Sequence, residues 1–129
     1  MNILYCGDAN MQKGIYLSAV SICSKNPCPL NIFVLTSDVE GYTAIPTRFA
    51  KKLETALCRH NKESRVRVIN ISEIFGDYLP TANLNTRFTP LCMLRLFADK
   101  VSEIPNKILY LDGDVLCRKD FGELYNLDI

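Results

Sequence analysis

The sequence is poor in net charge, in histidine and in uninterrupted apolar runs, and each shortage narrows what the chain can be. Fifteen Lys and Arg stand against 14 Asp and Glu, a formal net charge of +1, so no global electrostatic footprint points to nucleic acid or to an anionic membrane surface. No stretch approaches the ~20 apolar residues of a membrane span, and the opening Met1–Asp8 has neither the basic nor the long apolar segment of a secretory leader. The chain reads as cytoplasmic, without a transmembrane segment. The only histidine, His60, falls at the charged end of an amphipathic pattern, where a solvated side chain is the simplest reading. The six cysteines, at positions 6, 23, 28, 58, 92 and 117, sit mostly inside apolar runs and read as reduced core thiols. Cys23 and Cys28 have no second Cys/His pair at zinc spacing and receive no metal role. A glycine-rich phosphate loop is also missing. Cys6-Gly7-Asp8-Ala9-Asn10 is neither G-x-G-x-x-G nor a Walker A sequence, which argues against a conventional dinucleotide or P-loop site.

What is present is an alternation of strands and helices. The 129 residues suit one domain. Met1–Cys6 is short, apolar and β-prone and runs into the polar Gly7–Asn10, a first strand ending in a loop. Gly14–Lys25 carries Ile15, Leu17, Ala19, Val20, Ile22 and Cys23 at near-helical spacing and is stopped by Asn26-Pro27-Cys28-Pro29. Leu30–Thr36 is a second strand. Pro46 opens a helix through about Asn61 with Phe49, Leu53, Ala56 and Leu57 on one face, and Arg65–Ile71 alternates as a third strand. Phe75–Phe88, with Pro80, Asn83 and Asn85, lacks periodicity and reads as a loop over the sheet edge or a ligand crevice. Thr89-Pro90 pairs an N-cap residue with the type favoured at the first helical position, which predicts a helix to about Val101 that contains Arg95. Lys107–Leu111 is the fourth strand. The expected fold is α/β, a doubly wound, mainly parallel sheet with flanking helices.

The fourth strand delivers two carboxylates around one glycine, in Lys107-Ile108-Leu109-Tyr110-Leu111-Asp112-Gly113-Asp114-Val115-Leu116. Two ionised carboxylates about 5 Å apart repel by about 3 kcal/mol at an effective dielectric near 20, so such a pair shares a proton, stays hydrated or binds a cation. A hard divalent ion with oxygen ligands, Mg²⁺ or Mn²⁺, fits best. If this is a central strand, Asp112 and Asp114 stand at its carboxyl end, where ligands bind in open α/β sheets. An isolated Asp-Gly-Asp is more often a polar turn. Here the cation could also neutralise the diphosphate of a nucleotide that has no glycine-rich loop to hold it.

With these parts the chain resembles the N-terminal half of glycosyltransferase family 8, retaining enzymes of the Rossmann-like GT-A nucleotide-diphospho-sugar transferase fold that use Mn²⁺ and usually UDP-glucose or UDP-galactose. The resemblance spans nearly the whole chain. It is carried by Ile3-Leu4-Tyr5-Cys6-Gly7-Asp8-Ala9-Asn10, by Arg95-Leu96, by the block from Lys107 to Leu116, and by its continuation from Asp120 to Asp128. The resemblance implies that Asp112 and Asp114 bind Mn²⁺ (or Mg²⁺), with Asp112 and Gly113 also close to the donor. Asp8 and Asn10 would hold uridine, the backbone around Cys6 would add base contacts, and Arg95 would reach the donor sugar or diphosphate. It implies a hexosyltransferase acting on a glycan or lipid-linked saccharide, such as a bacterial lipopolysaccharide.

Each role has a purely structural alternative: Asp8 as a helix cap, Asn10 in a turn, Arg95 as a solvated residue or a partner of Asp99. Lys13, Lys107 and Arg118 read as surface charges. Met11 stands where the family often has an aromatic residue able to stack on uracil, which implies weaker uridine binding. The chain stops at Ile129, whereas the family continues for a comparable length. The expectation is an incomplete nucleotide-sugar-binding domain over 1–129, with the catalytic residues, a third metal ligand and most of the acceptor site beyond Ile129. Two other readings compete. Haloacid-dehalogenase-type phosphatases also place Asp-x-Asp after an apolar strand, but near the start of the domain and followed by Gly-Thr or Gly-Val rather than Val115-Leu116. The other is a non-catalytic nucleotide-sugar-binding or assembly module.

Overall fold

The computed structural model describes residues 1–78 and 89–128. At its centre is a four-stranded, all-parallel sheet in the order β3-β2-β1-β4, built from β1 (Asn2–Cys6), β2 (Asn31–Thr36), β3 (Arg65–Asn70) and β4 (Leu109–Tyr110). β1 runs beside β2 from Asn2↔Asn31 to Cys6↔Leu35, and its other edge takes β4 at Ile3↔Leu109 and Leu4↔Tyr110. Because all strands point the same way, the segments that follow β1 and β4 emerge side by side at one end of the sheet.

The period-two alternation of β1 explains the layering. Ile3 and Tyr5 face α1 (Gln12–Lys25) and α2 (Arg48–Leu57), packing with Ile15, Ala19, Ile22, Phe49, Leu53 and Leu57. Leu4 and Cys6 face the other way, against α3 (Ser72–Gly76) and a 3-10 helix, Pro90–Lys100, where they meet Phe75, Leu91, Leu94 and Phe97. Each Leu or Ile buried in these layers contributes about 1.5–3 kcal/mol relative to exposure. One polar contact crosses the first layer: the buried Tyr5 hydroxyl and Ser18 Oγ are 2.8 Å apart.

The stretch after β4 is tied back to α1. Ser21 Oγ accepts from the Cys117 backbone N–H at 2.8 Å, and buried Asn26 accepts from the Phe121 N–H at 3.1 Å while its own amide donates to Ile22 O. Asn26 therefore both ends α1 and anchors the chain leading to α4 (Gly122–Tyr125).

Several expectations need correction. The fourth strand is two residues rather than the expected Lys107–Leu111, and it lies at the sheet edge rather than the centre, since only β1 supplies it with partners. α2 is shorter than the expected Pro46–Asn61, its end closed by turn bonds from His60 and Asn61 to Leu57 O. The segment expected as a loop from Phe75 begins in α3, where Phe75 is fully buried; its remainder at 79–88, with Pro80, Asn83 and Asn85, lies outside the described residues. The element after Pro90 is a helix, but of 3-10 type, and Thr89 makes no side-chain cap. Its buried residues Leu91, Leu94 and Phe97 recur every third position, the period at which 3-10 side chains eclipse. The six cysteines are free thiols, but only Cys6 and Cys23 are buried in the core, while Cys28, Cys58, Cys92 and Cys117 are partly exposed; His60 is exposed, as expected. Among the described residues no helix is long and apolar enough to cross a membrane.

Candidate functional site

At the carboxyl end of the sheet, between the segments leaving β1 and β4, lies a cavity of about 320 Å³. It gathers five of the residues expected from the sequence: Cys6, Asp8 and Asn10 on the β1 side, and Asp112 and Gly113 on the β4 side. Asp114 and Arg95 are not among its lining residues; both are exposed.

Asp8 is buried and extended, and it caps a single 3-10 turn, Ala9–Met11, that leads into α1. Its Oδ1 accepts from the Asn10 backbone N–H at 2.9 Å, and Oδ2 lies 3.4 Å from the Asn10 amide nitrogen. The structural alternatives for Asp8 and Asn10 are therefore realised, yet both side chains also border the cavity. A carboxylate has lone pairs beyond those two contacts, so capping does not exhaust its acceptor capacity. Cys6, at the end of β1, has its thiol pushed up to about 12, by burial first, with the Arg95 charge pulling the other way and Asp112 and Cys92 adding to the rise. A neutral, buried thiol is a wall of the cavity rather than a nucleophile.

The Asp112-Gly113-Asp114 turn is held by steric fit. Gly113 is buried against α1: an added Cβ would stand 3.1 Å from Met11 Cε and 3.2 Å from Ile15 Cγ1. That contact leaves the flanking carboxylates exposed, Asp112 on the cavity side. Two exposed carboxylates are a donor set suited to Mg²⁺ or Mn²⁺, which use one or two protein carboxylates and complete their shell with water and substrate phosphate. Among the described residues no group of three or more His, Cys, Asp and Glu surrounds a common point, so the turn would hold such an ion through these two side chains.

Tyr110 was not singled out from the sequence. It lines the cavity, its hydroxyl donates to Asp112 Oδ1 at 2.5 Å, and the Arg95 guanidinium carbon lies 5.0 Å from its ring centre. Hydrogen bonding with Tyr110 is the largest cause that raises the Arg95 pKa, and burial, then the bond to Asp112, pushes the Tyr110 hydroxyl up to about 12. The signal was available in part: Tyr110 stands two positions before Asp112 in the block that carries the carboxylates. Tyr42 lines the cavity for a reason no local pattern reveals. A turn through Gly41, whose φ of 82° favours glycine, and a bridge between Asp8 and Ala44 fold that loop over the end of β1.

This fold is a GT-A-like α/β architecture with a cavity at the strand ends. The chain belongs to glycosyl transferase family 8, whose model matches residues 2–129. No curated protein sequence matches it. Among solved structures it is similar to the galactosyltransferase LgtC, crystallised with donor and acceptor sugar analogs, at 22% identity and a TM-score of 0.76 over 99% of this chain and 43% of that one. It is also similar to the glycosyltransferase GlyE of Streptococcus pneumoniae TIGR4, at 22% identity and a TM-score of 0.62 over 98% of this chain and 27% of that one. The chain thus spans less than half the length of the solved proteins it matches.

Proposed function

We propose that this chain is the donor-binding part of a retaining glycosyltransferase that moves glucose or galactose from a UDP-sugar to a glycan or lipid-linked saccharide, with Mn²⁺ or Mg²⁺ as cofactor. The observation that carries this reading is the convergence of Cys6, Asp8, Asn10, Asp112 and Gly113 on one cavity although more than 100 positions separate Asp8 from Asp112. Asp8, pre-oriented by Asn10, would accept from the uracil N–H or ribose hydroxyls. The backbone at Cys6 and Gly7 would face the base. Asp112 and Asp114 would hold the divalent ion. When bound, that ion neutralises the diphosphate and stabilises the departing UDP. Arg95, poised over Tyr110 beside the cavity, would supply guanidinium donors to the sugar or diphosphate.

The deciding experiment is a calorimetric titration of UDP into the chain with Mn²⁺, with chelator in its place, and with the Asp112→Asn/Asp114→Asn pair. Metal-dependent binding that disappears in the double variant supports the reading. A folded chain that binds no UDP under any condition refutes it. Release of free hexose from a UDP-sugar would support transfer chemistry in this part, whereas hydrolysis of simple phosphate esters would support the phosphatase alternative.

A further inference from the structure

We infer that Tyr110 is a positioning residue that holds Asp112 in its cation-binding orientation and mechanically links that carboxylate to Arg95. The inference rests on the donor-site reading above. Its grounds are geometric. Asp112 is an exposed side chain at the start of a turn, a position where a carboxylate ordinarily samples several rotamers. Here one oxygen, Oδ1, is held at 2.5 Å by the Tyr110 hydroxyl. Tyr110 is itself fixed. Its backbone is registered opposite Leu4 in the sheet, the next residue donates from its N–H to Leu4 O at 3.0 Å, and its half-buried ring lies beneath the Arg95 guanidinium at 5.0 Å.

Partners that hydrogen-bond a metal-binding carboxylate orient it before the ion arrives, so the ion does not have to select one rotamer from many. The same ring that carries the hydroxyl supports Arg95. The groups expected to meet the metal and the diphosphate are therefore set by one side chain anchored on the strand rather than by two independent surface side chains.

The test is Mn²⁺ titration of the nucleotide-free chain, followed by the electron paramagnetic resonance of the free ion, for the unchanged protein, Tyr110→Phe and Asp112→Asn. Tyr110→Phe keeps the ring under Arg95 and removes only the donor, and a roughly ten-fold loss of Mn²⁺ affinity is expected, the usual scale for losing a partner of a metal ligand. A second readout does not depend on how that variant folds. Mn²⁺ added to the unchanged protein should produce a tyrosine difference absorption that is absent in Asp112→Asn. Mn²⁺ affinity of a folded Tyr110→Phe within two-fold of the unchanged protein, or no tyrosine perturbation, overturns the inference while leaving the donor site standing. Failure of the unchanged protein to bind Mn²⁺, or binding indifferent to Asp112→Asn, overturns the donor-site reading and this inference with it.

Discussion

Gly14 of α1 and Gly113 of the Asp-Gly-Asp turn approach so closely that a Cβ on Gly14 would lie 2.6 Å from the Gly113 carbonyl oxygen. No real Cβ tolerates that distance to a backbone atom, so the two glycines let the first helix serve as the bed on which the carboxylate turn rests. Helix propensity alone would make Gly14→Ala stabilising by about 1 kcal/mol. The clash predicts the opposite sign: a net loss of about 1–3 kcal/mol, typical of overpacking, together with weaker metal-dependent UDP binding as the turn shifts. Thermal melting and calorimetry on one sample check both. A more stable variant with unchanged UDP affinity would show that the turn moves aside without consequence.

Met11 offers a gain-of-function test. It lines the cavity and is 37% exposed. Base stacking on an aromatic ring is worth about 1–3 kcal/mol per base by alanine substitution, and a thioether recovers only part of that. Met11→Tyr is expected to tighten UDP binding several-fold in the presence of Mn²⁺, with little change in its salt dependence because no charge is added. Unchanged or weaker affinity would place the uracil away from Met11.

The Tyr5–Ser18 contact joins β1 to α1 inside the core, with both residues fully buried. Removing one partner strands the other, at a cost of about 1–3 kcal/mol, whereas removing both is close to neutral. Tyr5→Phe and Ser18→Ala are therefore expected to destabilise singly and to compensate in part when combined. A double-mutant cycle by urea unfolding measures the coupling, and strict additivity would mean that the hydroxyls contribute independently.

How much of this was legible beforehand follows from where the information lies. β1, β2 and β3 were readable because their residues are apolar and β-prone on their own account, and the Asp112-Gly113-Asp114 turn because the preceding strand points it at the crevice. The 3-10 helix was half readable. Leu91, Leu94 and Phe97 announce a buried face, but spacing by three also occurs on an α-helix, and the packing against Leu4 and Phe75 that selects between them is not a local property. The length of β4 depends on its pairing with β1, and Tyr42 reaches the cavity through loop closure across Gly41; neither leaves a trace in short-range pattern. Asp8 carries both readings at once, cap and cavity wall, because its carboxylate has enough lone pairs for both.

Alkaline pH tests the core and one wall of the cavity together. Burial lifts Cys6 from 9.0 to about 12 and raises Tyr5 still further above its ordinary range, the latter partly offset by the hydrogen bond to Ser18. In both cases the folded state keeps its proton after the unfolded chain has lost it. The unfolded state then binds fewer protons, and stability falls as pH rises, by up to about 1.4 kcal/mol per pH unit for each such group. Below the unfolded-state values neither group contributes any pH dependence. Stability should therefore show no contribution from either through neutral pH, begin to decline near pH 9 as the unfolded Cys6 ionises, and steepen near pH 10 as Tyr5 joins it. Cys6→Ala is expected to make the decline above pH 9 shallower, leaving the part due to Cys23, whose thiol burial also raises, and Tyr5→Phe to reduce the steepening near pH 10 to the part due to Tyr110. Denaturant midpoints measured from pH 7 to 11 in a reducing buffer decide it. A slope between pH 9 and 10 that is unchanged in Cys6→Ala would mean that this thiol is far more accessible to solvent than its place in the second layer allows.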